Sequence, residues 1–291
     1  MGLRIAAVVA AIAIAIVVVA AFIAGRSGFV GSAPAGPDPN VKAYQAMVSS
    51  DSDAMNTAIS KLSCNSIQDN NCRTTRDVAV PVDQKWVVDL TAFRTPARFA
   101  AIDGQLRAHL NQTIAELNAV VASQAANNQN GFDLANEAVF YELAWLGPTV
   151  SAIEGTYPGA AGTYHDAFRI TKQALDACVK GAPDPADIGC AALLLGKVCT
   201  GGVSRSCASE TESAATRIQT FLIVLLQNPA PGSLTTKNEQ LLADLGQADT
   251  ALLVITDGLV NANAAKVASG QTSYGLSILA ADRDAGAMGN P

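Results

Sequence analysis

Between its prolines and glycines this chain repeats apolar residues every three or four positions, and that spacing restricts it to a helical fold. Leu106, Leu110, Ile114, Leu117 and Val121 fall on one face of a helix, as do Leu241, Leu245, Leu252, Ile255 and Leu259. The same reading predicts helices over 39–62, 85–93, 97–127, 132–154, 163–180, 186–198, 209–227, 234–260 and 263–284. Strand signals are nearly lacking. Only Val78 to Val82 alternates in a strand-like way, and Pro81 inside it confines the segment to an edge or a loop. The expected fold class is all-α.

An internal repeat organises these helices. Sliding the chain by 135 positions sets Pro96 on Pro231, Gln105 on Gln240, Leu106 on Leu241, Ala108 on Ala243, Leu110 on Leu245, Gln112 on Gln247 and Leu117 on Leu252. Each copy reads as proline, long amphipathic helix, polar turn and second helix. A hairpin of two helices cannot cover its own apolar stripe, so hairpin 96–154 and hairpin 231–284 are expected to pack into one bundle, joined by the cysteine-rich segment 163–227.

Ahead of the bundle lies an apolar run of twenty residues, Ile5 to Ala24. As a helix it would span roughly 30 Å, the thickness of a bilayer's hydrocarbon core. Secretory signals carry a shorter apolar region followed closely by a small-x-small site. Here the nearest good site, Ala33-Pro34-Ala35, stands eleven residues beyond Ala24. Residues 1–26 are therefore expected to be a retained single-pass anchor, with secretion after cleavage as the alternative. Arg4 and the amino terminus on the short side favour an extracytoplasmic remainder. Residues 27–38, rich in Gly, Ser, Ala and Pro, read as a tether to an exported domain over 39–291. Ala7, Ala11 and Ala15 fall at the spacing of a helix-pairing face, but alanine is abundant throughout the chain and the spacing needs no partner.

Six cysteines, Cys64, Cys72, Cys178, Cys190, Cys199 and Cys207, all follow the apolar run, and an even number outside the cytoplasm reads as three disulfides. If 186–198 is helical, Cys190 and Cys199 stand roughly 13 Å apart, too far to bridge. The favoured pairing is local, Cys64–Cys72, Cys178–Cys190 and Cys199–Cys207, against a rival that crosses Cys178 with Cys199 and Cys190 with Cys207. The spacings match neither a zinc knuckle nor a Cys-x-x-Cys redox or haem motif.

Charge narrows the partners. Subtracting Arg4 and Arg26 from the 19 basic residues leaves 17 against 25 acidic ones, a net charge of −8 beyond residue 35. That field repels phosphate backbones, and no basic cluster with interleaved aromatics offsets it, so no nucleic-acid partner is expected.

Catalytic motifs are missing. On a helix His109, Thr113 and Glu116 share a face at i, i+4 and i+7, a stripe able to hold a metal. The repeat, however, sets His109 opposite Asp244, so a solvated face is expected. His165 is expected to cap or begin a helix. There is no Glu-x-x-His pair, no Gly-x-Ser-x-Gly elbow and no usable phosphate loop, and Ser209-x-x-Glu212 reads as a capping box. No catalytic residue, metal or cofactor is therefore expected. Phe140, Tyr141, Trp145, Tyr157, Tyr164 and Phe168 concentrate within thirty residues of a chain that is 5% aromatic. Such a group is usually core; if any surface matters, Tyr141, Trp145, Tyr157 and Tyr164 are the expected ligand or partner patch. The pattern is similar in outline to exported four-helix bundles that host haem or metal, but it lacks their ligand motifs, so the likeness implies no chemistry. The expected function is that of a non-enzymatic cell-envelope protein, an accessory subunit of a membrane complex or a surface module contacting other envelope proteins. The alternative is a helical bundle that binds a small ligand.

Overall fold

Eight α-helices and one short 3-10 turn make up the described part of the chain, with no strand among the described residues. The computed structural model describes residues 40–59, 64–157, 163–180, 199 and 204–289. In chain order the helices are α1 (Asn40–Ile59), α2 (Asn71–Ala92), α3 (Ala100–Ala125, preceded by the turn Ala97–Phe99), α4 (Gln129–Glu154), α5 (Tyr164–Lys180), α6 (Arg205–Gln227), α7 (Thr235–Val260) and α8 (Ala264–Met288). The apolar run 5–24, the tether and the expected helix 186–198 lie outside the described residues. No helix among the described residues is long and apolar enough to cross a membrane.

Two expectations need correction. Val78 to Val82 is helical, because α2 begins at Asn71 and runs straight through Pro81. A proline removes one amide donor and crowds the preceding turn, but its side chain here faces solvent, while Cys72, Thr75, Ala79, Asp83, Trp86 and Leu90 form the buried stripe. The expected capping box at Ser209 is also displaced. Ser204 caps α6 instead, its hydroxyl accepting from the Cys207 amide at 3.2 Å. Cys207 is bridged to Cys199, so the disulfide and the cap start the helix together.

The second described disulfide, Cys64–Cys72, clasps the loop that leads into α2. Cys178 is also disulfide-bonded, and its expected partner Cys190 lies outside the described residues.

The two hairpins, α3 with α4 and α7 with α8, turn in the same way bond for bond. Pro96 and Pro231 each accept from the amide three residues on, at 2.8 Å in both. Asn127 and Ala262, 135 positions apart, both adopt a φ of 50°. The next residue in each, Asn128 or Asn263, caps the following helix through its side-chain oxygen, accepting at 3.1 Å from Gly131 in one turn and Lys266 in the other. Asparagine tolerates the left-handed conformation, whereas alanine is strained there. The hairpins differ in closeness. A Cβ added to Gly270 would stand 2.9 Å from the Ile255 amide and 3.0 Å from the Ala251 carbonyl, so α8 lies against the bare backbone of α7. The matching position on α4 is Ala135.

Around the hairpins, α2 lies on α3, α1 on α2 and α4, α6 on α4 and α7, and α5 on α8 and α6. The main core joins Tyr44, Trp86, Leu106, Leu110, Trp145, Phe168, Leu245, Ile255 and Tyr274. A smaller cluster of Ile67, Cys72, Ala79, Leu117, Val120, Phe132 and Val139 sits under the Cys64–Cys72 clasp.

Two substitutions check this geometry. Ala262→Asn relieves the left-handed strain and should raise stability by about 0.5–1 kcal/mol. Gly270→Ala meets backbone that cannot swing aside and should cost about 1–3 kcal/mol. Urea unfolding of both variants measures the two effects.

Candidate functional site

His109, Thr113 and Glu116 do share one face of α3, but the face points inward and all three residues are fully buried. The expectation of a solvated face is overturned. Its guide, Asp244, is itself buried, so comparing His109 with it could not signal exposure. A better signal was present: Leu106, Leu110 and Leu117 lie three or four positions from His109 or Thr113, which puts the polar stripe inside the apolar arc.

Two other helices complete the site. Glu142 of α4 and Asp249 of α7 are also fully buried. Glu142 Oε2 lies in short contact with His109 Nδ1, and Asp249 Oδ2 stands 2.9 Å from Nε2. Both ring nitrogens therefore face acceptors, which makes the ring a doubly donating imidazolium. Burial by itself would lower the histidine's pKa, but the charges of Glu142 and Asp249 and their hydrogen bonds outweigh it and lift it to about 10. The Trp145 indole stacks on the ring at 3.6 Å between centroids, with the planes 15° apart.

Glu116 closes the cluster. Burial, and then the nearby Glu142 charge, push its pKa well above the usual carboxylate range. Its Oε1 accepts from the Gln112 amide at 2.9 Å. Glu116 Oε2, Glu142 Oε1 and Asp249 Oδ1 are buried without a hydrogen-bond partner among the described residues. Even so, no three His, Cys, Asp or Glu side chains among the described residues are placed to hold a metal ion, and an imidazolium has no lone pair to offer one.

The expected aromatic patch divides. Trp145 is buried against His109, and Tyr164 is buried with its hydroxyl 3.0 Å from Asn238 Oδ1 on α7. Tyr141 and Tyr157 are half-buried. Tyr141 lines a small cleft with Glu137 and Glu212, where burial, and then the Glu137 charge, raise Glu212 to about 7. His165 is exposed at the start of α5, with Nδ1 3.8 Å from an Asp166 oxygen.

Sequence reasoning missed two further features. Asp83 on α2 is fully buried with both oxygens unpartnered, and burial raises its pKa to about 8. A cavity of about 80 Å³ opens beside the Cys64–Cys72 clasp between α1, α2, α3 and α4.

Compared with known proteins, the chain matches no family model, no curated protein and no solved structure.

The clamped imidazolium sets a pH dependence. Folding raises His109 from an unfolded value near 6.5 to about 10, so the folded state holds the extra proton between those values. The stabilisation is fully present below pH 6.5 and is lost as pH rises through 10. Asp83, raised from 3.8 to about 8, adds a fall in stability of the same sign between those lower values. The His109 ring should stay protonated at pH 8.5 by NMR, assigned with His165→Gln, while urea unfolding shows stability declining from pH 6.5 to 10. A ring that titrates near 6.5 would contradict the clamp. Removing one clamp with Glu142→Ala should cost about 3–5 kcal/mol, the usual result of breaking a buried ion pair.

Proposed function

We propose that this chain is a non-catalytic module of the cell envelope, exported and held at the membrane through residues 5–24, where it serves as an accessory subunit or interaction module. The observation that carries the reading is the closed state of the cluster richest in chemical groups. A general base needs a free lone pair within reach of substrate. His109 has both nitrogens committed to carboxylates and one ring face covered by Trp145, and the whole group is sealed from solvent. It is built as a tie among three helices.

The second hairpin supplies an internal comparison. We read the shared turns and the shared prolines as one hairpin used twice. At the positions of His109, Glu116, Glu142 and Trp145 the second copy carries Asp244, Ala251, Ser277 and Ala280. The hairpin turn therefore does not depend on these four residues, and the cluster, which takes Asp249 from the second copy, serves the assembly by tying α7 to α3 and α4. Buried ionic groups used in this way fix one arrangement among several. The disulfides Cys64–Cys72 and Cys199–Cys207 support an oxidising compartment, and the apolar length of 5–24 supports a retained anchor.

Expression of the full chain with fractionation and thiol labelling tests this reading. The chain should sediment with membranes, resist alkylation until reduced and be digested by protease added outside the cell. After mild-detergent extraction it should carry a stoichiometric protein partner. A soluble cytoplasmic product with free thiols would overturn the proposal.

A further inference from the structure

The cavity beside the Cys64–Cys72 clasp combines an apolar wall with one unanswered polar group. Leu117 and Val120 of α3, Val139 and Leu143 of α4 and Met55 of α1 supply the wall. The polar group is Thr75 of α2, which lines the cavity, is 7% exposed, and has its hydroxyl buried without a partner among the described residues.

That state is unlike its peers. Thr91, Thr113, Thr171, Thr211, Thr220 and Thr272 each donate to the carbonyl four residues earlier in their own helix. Helical back-bonding is the ordinary fate of a threonine hydroxyl. A buried hydroxyl left unanswered has given up its hydrogen bonds to water with nothing in return.

Water answers this arrangement poorly. One water needs only about 10–15 Å³ of such space and two to four polar partners. The cavity holds about 80 Å³, enough for several waters, against a wall that is mostly hydrocarbon. Thr113, also on the wall, has already given its proton to the His109 carbonyl at 2.9 Å. The volume is about half that of an apolar cavity that accepts a benzene ring, which limits the occupant to a short or compact group. Among the described residues no Lys, Arg, Asp or Glu lines the space, which suits an uncharged occupant. Phe140, 59% exposed, and the exposed Asn65 also line the space.

We propose that this cavity binds a small uncharged molecule, or the end of a larger one, consisting of a compact hydrocarbon body and one acceptor oxygen, with the Thr75 hydroxyl donating to that oxygen. The proposal stands apart from the envelope reading, since it holds wherever the chain resides.

The test uses the full-length protein with its Val, Leu and Thr methyl groups labelled for NMR, titrated with acetone and, separately, with isobutene, which has the same shape with a methylene group in place of the oxygen. Both probes should give saturable shifts centred on Leu117, Val120, Val139 and Thr75. Thr75→Val should weaken acetone about 5- to 10-fold, the worth of one hydrogen bond, and leave isobutene unchanged. Val139→Phe should fill the space and abolish both responses. If that variant fails to fold, Ala79→Val, which narrows the same wall, should weaken both. Shifts that do not saturate, shifts centred elsewhere, or a Thr75→Val protein that binds acetone as tightly as before would each overturn the proposal.

Discussion

A single imidazolium between two carboxylates carries the docking of three helices. Removing these charges from water is expensive, and the cost is offset only where every charge faces an opposite one at close range. His109 on α3 does this with Glu142 on α4 and Asp249 on α7. Burial and the Glu142 charge push the pKa of Glu116, two turns further along α3, upward, which favours its neutral form beside these charges. The neighbouring structure follows from holding this group still. Trp145 lies flat on the ring, and Gln219 of α6 donates to the Trp145 carbonyl and, at 3.0 Å, to the Thr149 hydroxyl. Pro148, between those acceptors, cannot donate to the preceding turn of α4. The Gln219 amide thus braces α4 where its own ladder is weakest, and a fourth helix is fixed to the same centre.

The long helices were legible because their buried faces are made of leucine, isoleucine and valine. The start of α2 was not, for a physical reason. Its buried stripe consists of Cys72, Thr75, Ala79, Asp83, Trp86 and Leu90, while Val78 and Val88 point outward at 41% and 62% exposure. Small and polar residues inside with valines outside invert the usual pattern, and Pro81 reinforced the wrong reading. The charge cluster failed to appear for a related reason. A buried ionic group looks in sequence like a solvated one, and only the partners on α4 and α7, 33 and 140 positions away, distinguish the two.

The two hairpins show what the fold requires and what it merely permits. Both keep the proline, the left-handed turn residue and the asparagine cap, since these decide whether two helices reverse direction at all. Their interiors differ. The second hairpin uses Gly258 and Gly270 to bring α8 onto the backbone of α7, and it buries Tyr274, Ile278 and Ala281 in the main core. The first carries Ser123 and Ala135 at those positions and buries His109, Glu116, Glu142 and Trp145. Close packing and buried charge are alternative ways to fix one arrangement of helices: the first sets α8 on α7, and the second ties α3, α4 and α7 together.

The two described disulfides serve different cores. Cys199–Cys207 lies within the main core, which spans most of the helices. The cluster beneath the Cys64–Cys72 clasp is smaller, borders a cavity and depends on the loop before α2 for its cover. Ile67, in that loop, packs into the cluster, and the Gln124 amide of α3 holds the loop carbonyls of Ile67 and Asp69 at 3.0 and 2.6 Å. A bridge across so short a loop contributes on the order of 2–3 kcal/mol, little beside a whole domain but large beside one loop. Closing the loop covalently keeps the cavity wall in place without filling the cavity, which tighter packing of the same wall could not do.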